Sequence, residues 1–354
     1  MAGAPVLAKD MRFGGVLPAG SLISDTIEET LAKITDATNG SVKFKYFPGG
    51  EVVSSRTSLN GVQDGAVDIA HVTWISFPSE LPLSSLIGQA MIFSDGELAA
   101  SGAVSEYFLV TCEECQGEFE KVNSFPLATE GAARYGLMCN PVIDGVDDLK
   151  GRRVRAVGAM GRFASQLGMV PVNIASPEIL QSMERGVVDC AFGLLPWLKS
   201  YSIGDATHSL LDTGKGAVMG GTTFWMNLST WKDLSADEKQ AFLSVVPDHM
   251  YRTSSYAYGS SAEEAIEGIR ANGAVITDGG ARYAEEMQKF RDSERVTLIS
   301  LAAERGAADP EKRVNDIIAL IEEWNALMAG HEGDQEYFEA LVRERVIAKS
   351  AILN

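Results

Sequence analysis

Residues 147–193 read DDLKGRRVRAVGAMGRFASQLGMVPVNIASPEILQSMERGVVDCAFG. The run opens on an Asp-Leu-Lys-Gly turn and continues into a short β-rich segment, Arg153-Val154-Arg155. A small-residue helix is expected over 161–167, ended by Gly168, with a strand over 170–174. Pro177 starts a second helix that Gly186 stops, and a buried strand follows over 187–191. Helix, glycine stop and apolar strand in alternation make a β-α-β-α-β unit, the building block of open parallel sheets. Arg153 and Arg155 alternate with Val154, so periodicity puts both arginines on one face.

An echo lies upstream. Asp64-Gly65-Ala66-Val67-Asp68 parallels Arg185-Gly186-Val187-Val188-Asp189. Each half of the chain therefore has a helix, a glycine and a Val-Asp strand, as two similar α/β lobes would. In the first half, a strand over 9–16 leads to a helix capped by Ser24 or Asp25, with Ile27, Leu31 and Ile34 as its apolar stripe. Residues 42–47 alternate as a half-buried strand. The strand over 66–72 leads into Thr73-Trp74. Ligands of open α/β sheets bind at the carboxyl ends of strands, which makes Thr73 and Trp74 candidates for the wall of a site. His71, inside the strand, reads as a buried histidine with its hydrogen bonds satisfied.

Two phrases carry a family resemblance: Asp-Leu-Lys-Gly-x-x-Val-Arg followed by Leu-Gly-x-x-Pro-Val and Arg-Gly-Val-Val-Asp, and Thr-Asn-Gly-x-Val-x-Phe-x-x-Phe-Pro-Gly-Gly near the N-terminus. With them the chain resembles the solute-binding proteins of TRAP (tripartite ATP-independent periplasmic) transporters, DctP-type family, over most of residues 12–245. The resemblance implies a two-lobed periplasmic binding protein fold of α/β class, with a long helix spanning both lobes and a helical C-terminus. It implies lobe I over 1–132 and 221–256, lobe II over 133–220 and 257–330, and a C-terminal helical extension over 331–354. It further implies an extracytoplasmic receptor that binds a small organic anion, carboxylate or sulfonate, and passes it to membrane permease subunits. The alternatives are an ABC-type periplasmic binding protein or a ligand-sensing domain.

Site residues follow from the same resemblance. The arginine at the place of Arg155 holds the ligand's carboxylate. A second ligand arginine sits on the first strand crossing between lobes, where the spacing leaves Arg134 and Tyr135 as candidates: Arg134 is one residue off, and one residue flips the face of a strand. The loop after the Val-Val-Asp strand supplies an Asn or an aromatic in several relatives. Here Gly193 stands at the Asn position and Trp197 is the aromatic candidate. Ser176 and Asn227, the latter on the return crossing, complete the expected set. Crossings are expected near 130–140 and 218–228. Ser235 and Glu238 form a capping box for a helix over 237–272 whose weak point is 259–261.

Bulk properties narrow the function. A 354-residue chain fits two domains, and 45% hydrophobic with 22% charged residues is ordinary for a globular protein. A net charge of -18 argues against nucleic acid as a partner. It also means that an anion needs a locally basic pocket. No apolar run of about 18 residues exists to span a membrane. Residues 1–5 lack the basic and apolar regions of a signal peptide; the expectation is a mature periplasmic chain with an added Met1, a cytoplasmic protein being the alternative. Cys112, Cys115, Cys139 and Cys190 allow three full pairings. They are expected to be structural disulfides or inert thiols, since two acids between Cys112 and Cys115 oppose thiolate formation. No nucleophile elbow, phosphate loop, HExxH or GxGxxG is present, so no enzyme, cofactor or metal is implied. The C-terminal helices are expected to dock on the chain's own lobe, with the protein a monomer.

Overall fold

The computed structural model describes residues 8–212 and 216–353; the expectation for residues 1–5 lies outside the described residues. In chain order the strands are β1 (Lys9–Gly14), β2 (Val42–Phe47), β3 (Ile69–Val72), β4 (Ser124–Thr129), β5 (Ala132–Cys139), β6 (Arg153–Arg155), β7 (Val170–Val172), β8 (Cys190–Leu194), β9 (Ser209–Leu211), β10 (Ala217–Val218), β11 (Thr222–Asn227) and β12 (Val275–Thr277). They form two sheets. The first runs β2-β1-β3-β11-β4 and the second β12-β9-β5-β8-β6-β7, with β10 paired to β5.

The two sheets share a plan. In the first, β1 pairs parallel with β2 and β3, and β11 lies antiparallel to β3. In the second, β6 pairs parallel with β7 and β8, and β5 lies antiparallel to β8. The register agrees as well: Phe13 faces Ile69 as Val154 faces Cys190, and Gly14 faces Ala70 as Arg155 faces Ala191. The chain leaves the first sheet through Glu130 and Gly131, between β4 and β5, and returns through 219–221, between β10 and β11.

Local sequence explains most element ends. Leu22–Ala37 is a helix whose cap is Ser21, accepting from the Ser24 N–H, one turn before the expected Ser24 or Asp25. Ile23, Ile27, Leu31 and Ile34 form its buried stripe, each contributing roughly 1.5–3 kcal/mol of burial. Strand β8 starts at Cys190, three residues later than the valines suggest. The reason is local: Val187 and Val188 donate their N–H groups back to Ser182, in the turn that Gly186 makes with φ +64°. Ser235 and Glu238 do form the capping box. The helix they start runs as Ala236–Tyr251, a π-helical stretch Arg252–Ser260, and Ser261–Ala271. Its first part packs on Leu22–Ala37 and β4, its last on Trp197–Ser200 in the other lobe. One continuous helix thus touches both lobes.

The larger core runs through the first sheet and the C-terminal helices and takes in Leu137, Val154, Phe163 and Phe192 of the second lobe; the smaller lies wholly in the second lobe around Met138, Ile179, Leu195, Leu210 and Ile269. Helix Pro310–Met328, with Asp309 capping Lys312 N–H, packs on helix Glu97–Glu106. There Trp324 donates to Glu106 at 2.8 Å, and Arg345 grips the same carboxylate at 2.8 and 3.0 Å. The C-terminal helices therefore dock on their own chain. Cysteines pair as Cys112–Cys115 and Cys139–Cys190. The second bond joins directly opposed residues of β5 and β8. Among the described residues no helix is long and apolar enough to cross a membrane.

Candidate ligand site

Arg155 ends β6 and is 5% exposed. Its Nε donates to the Ile174 carbonyl at 3.0 Å, Nη1 to the Phe192 carbonyl at 3.0 Å, and Nη2 to Ser176 Oγ at 3.5 Å. Its guanidinium carbon lies 5.4 Å from the Trp197 ring centroid, a cation–π arrangement. The Tyr135 hydroxyl sits beside it: burial raises the tyrosine pKa, and the neighbouring Arg155 charge pulls it part of the way back. Among the described residues Arg155 makes no ion pair with a carboxylate. A buried cation without a counter-charge is costly. Its three nitrogens are met by neutral acceptors only.

Arg153, on the same strand, has a different duty. It is exposed, donates through Nη2 to the Gly186 carbonyl at 2.6 Å, and lies 3.7 Å from the Asp189 carboxylate. Two residues of strand rise separate the arginines by ~7 Å, which puts one at the entry of the sheet and the other at its carboxyl end.

Of the two crossing candidates, Tyr135 and not Arg134 turns toward Arg155. Tyr135 meets Trp197 edge to face, with centroids 6.3 Å apart. Arg134 points to the other face of β5. There it holds Asp212 in two hydrogen bonds of 2.9 Å and Glu263 in one of 2.8 Å, with Glu97 at 3.7 Å. Desolvation disfavours its charge, but these carboxylates outweigh that and raise its pKa. Arg134 also borders a cavity of about 350 Å³ together with Asp95, Glu97 and Asn325. A much smaller cavity, about 20 Å³, is lined by Tyr135, Met160, Phe192, Tyr283, Met287 and Arg291; Tyr135 and Phe192 tie it to Arg155.

The remaining expected residues scatter. Ser176 and Trp197 join Arg155, as described. Thr73 is half-buried and leads into the short turn Trp74–Ser76, accepting at its carbonyl from Ser76 N–H. Trp74 is wholly buried, packed edge to face on Phe108 at 5.1 Å. Asn227 stands at the far end of β11, paired with Ser124 at the start of β4. Its side chain is spent on structure, capping Thr230 N–H at 3.0 Å and donating to the Val62 carbonyl at 2.8 Å. His71 is buried as expected but only half satisfied: Nε2 lies 3.2 Å from Glu130 Oε1, while Nδ1 has no partner among the described residues. Glu130 and Tyr258, which complete that cluster, gave no signal in the sequence, since they lie 59 and 187 residues from His71 along the chain.

Known proteins agree with this architecture. Residues 13–294 match the bacterial extracellular solute-binding protein family 7, DctP. A monocarboxylate 2-oxoacid-binding periplasmic protein of Nostoc sp. is 29% identical over 181 residues, 48% of this chain and 46% of that one. A solute-binding protein of Albidiferax ferrireducens is 21% identical over 205 residues, 58% of this chain and 60% of that one. The chain spans about half the length of the curated relatives it matches. Among solved structures, a TRAP periplasmic solute-binding protein from Desulfovibrio salexigens superposes with a TM-score of 0.75 at 20% identity, covering 92% of this chain and 97% of that one. A Rhodoferax ferrireducens TRAP solute-binding protein in complex with benzoate gives 0.70 at 18% identity, covering 90% and 99%. DctP7 of Bordetella pertussis, a receptor binding pyroglutamic acid, gives 0.66 at 19%, covering 88% and 100%. Fold, strand plan and family match lead to one conclusion: this chain belongs to the DctP family, family 7 of the bacterial extracellular solute-binding proteins.

Proposed function

We propose that this protein is the periplasmic receptor of a TRAP transporter, binding a small organic anion between its two lobes and delivering it to membrane permease subunits. On this reading 1–132 and 221–256 form lobe I, 133–220 and 257–330 lobe II, and 331–354 an extension. It acts as a monomer.

One observation carries the reading: Arg155 is buried, fixed by two backbone carbonyls, and without a carboxylate partner among the described residues. Its fork-shaped guanidinium suits a planar carboxylate or a sulfonate. Tyr135, Met160 and Phe192 offer apolar surface beside it for an organic body. The ligands named for relatives, 2-oxoacids, pyroglutamate and benzoate, are all carboxylates. Continuity of the helix from Ala236 to Ala271 across both lobes speaks against the ABC-type alternative.

A thermal-shift screen of carboxylates and sulfonates tests the proposal, because a ligand of the native state raises the Tm. At least one acid should give a saturable shift that Arg155→Lys abolishes. Failure of the whole panel would sink it.

A further inference from the structure

In the second lobe, Phe192 lies three residues beyond Asp189, and its carbonyl holds Arg155. His71 lies three residues beyond Asp68 in the first lobe, on the strand with the matching register. The shared plan puts His71 at the cleft-facing end of its sheet, as Phe192 is at the end of its own. Glu130 reaches it from the first crossing, where the chain passes from one sheet to the other.

Glu130 Oε1 takes both contacts, from His71 Nε2 at 3.2 Å and from the Tyr258 hydroxyl at 3.4 Å. Glu130 Oε2 and His71 Nδ1 have no hydrogen-bond partner among the described residues. Their residues are 3% and 4% exposed. Each such group left unpaired costs about 1–3 kcal/mol. The arrangement is built at some expense: a Cβ on Gly221 would stand 2.0 Å from Glu130 Oε1, so this carboxylate position demands glycine there. Tyr258, on the helix that touches both lobes, brings the cluster up against that helix.

Chemistry fixes what the cluster would bind. With His71 Nε2–H donating to the carboxylate, a neutral imidazole leaves Nδ1 as an acceptor, and Oε2 is an acceptor only. Two buried acceptors in one cluster call for a donor. We infer that Glu130 and His71 form a second pole of the ligand site, selecting organic acids that carry a hydroxyl, amide N–H or ammonium group in addition to the anion held by Arg155. This rests on the carboxylate-receptor reading above.

Matched pairs of acids separate the two ideas: lactate against pyruvate, 3-hydroxybenzoate against benzoate, pyroglutamate against cyclopentanecarboxylate. Calorimetric titration of the wild-type protein should show the donor-bearing member of a bound pair at least tenfold tighter. Glu130→Gln, which turns one acceptor into an NH2 donor, should shrink that ratio below threefold. Equal or tighter binding of the donor-free acids by the wild type overturns the inference and leaves the carboxylate reading standing. So does a Glu130→Gln variant that keeps the tenfold preference. Binding of none of the six acids overturns both. The wild-type comparison decides alone should Glu130→Gln not fold.

Discussion

The backbone N–H of Arg153 donates to Asp189 Oδ2 at 2.8 Å, while Asp189 N–H returns a bond of 2.8 Å to the Arg153 carbonyl. The first lobe repeats the device atom for atom. Arg12 N–H donates to Asp68 Oδ2 at 2.7 Å, Asp68 N–H to the Arg12 carbonyl at 2.9 Å, and Arg12 Nη2 to the Gly65 carbonyl at 2.8 Å. Arg153 Nη2 bonds Gly186 in the same way. The Gly-x-x-Asp echo is therefore a clamp that joins a strand start to the turn before its neighbour, built once per lobe. By this correspondence Arg153 matches Arg12, and Arg155 matches Gly14. The repeated arginine is structural; the unrepeated one is the anchor we propose for the ligand.

Arg155→Lys and Arg153→Lys should thus part company. Lysine at 155 keeps a charge but cannot bond Ile174, Phe192 and an anion together. Loss of a buried charge-assisted pair is worth on the order of 3–5 kcal/mol, or at least a hundredfold in Kd. Arg153→Lys should leave Kd within threefold and lower stability by ~1 kcal/mol or less, since its clamp is exposed. Titration of both variants with one acid from the screen checks this; equal affinities would move the anchor away from Arg155.

Arg134 makes the opposite prediction. Its guanidinium is the cation shared by Asp212, Glu97 and Glu263. Arg134→Ala removes that charge from the middle of three carboxylates. A cost of roughly 3–5 kcal/mol in urea unfolding is expected. Affinity for the acid, measured on the folded fraction, should change less than tenfold. A hundredfold loss of affinity with normal stability would make Arg134 a ligand residue.

The two disulfides should differ in worth. Cys139–Cys190 closes a separation of 51 residues and Cys112–Cys115 one of 3. On loop-closure entropy alone the first is worth about 4 kcal/mol and the second about 2. Serine pairs at each site, compared by urea midpoint, should rank in that order. The first bond also pins β5 against β8, the strands that carry Tyr135 and the carbonyl of Phe192. Its loss should therefore weaken acid binding as well, whereas loss of Cys112–Cys115 should not.

Legibility in the sequence followed range. Features set by neighbours were readable: the alternation of residues 42–47, the capping box at Ser235, proline at the start of Pro310–Met328. Strand ends were less so, because Ser182 captures the N–H groups of Val187 and Val188 and delays β8. Periodicity could not separate Arg153 from Arg155, which share a face; what separates them is the end of the strand each occupies. Asn227 looked like a site residue because it lies on the return crossing, but helix capping claims it at the wrong end of β11. The trio of His71, Glu130 and Tyr258 was invisible for a plain reason. No local pattern marks three residues from a strand, a crossing and a helix that meet only after folding.

Acid should loosen the first lobe well before it titrates most carboxylates. His249 is wholly buried on the spanning helix, its Nδ1 2.8 Å from Thr30 Oγ1 and its Nε2 2.7 Å from Thr223 Oγ1. Desolvation, aided by the positive charges of Arg252 and Lys33, pushes its pKa down to about 3 from 6.5. The unfolded chain takes up the proton at about 6.5 and the folded chain does not. Stability from this group is therefore complete above pH ~6.5 and is lost as pH falls toward 3, at about 1.4 kcal/mol per unit. Glu238 adds a second, lower window. Burial opposes its charge, but Lys9, Ser235 N–H and Ser41 outweigh that and hold its pKa near about 2 instead of 4.5. Its contribution is whole above pH ~4.5 and fades toward 2. Urea midpoints between pH 8 and 4 should fall from near pH 6.5 downward. His249→Gln, which keeps a hydrogen-bonding side chain without an ionisable ring, should flatten the curve above pH 5 even if it lowers stability at pH 8. A wild-type midpoint that stays level from pH 8 to 5 would show that His249 is not the group that sets the onset.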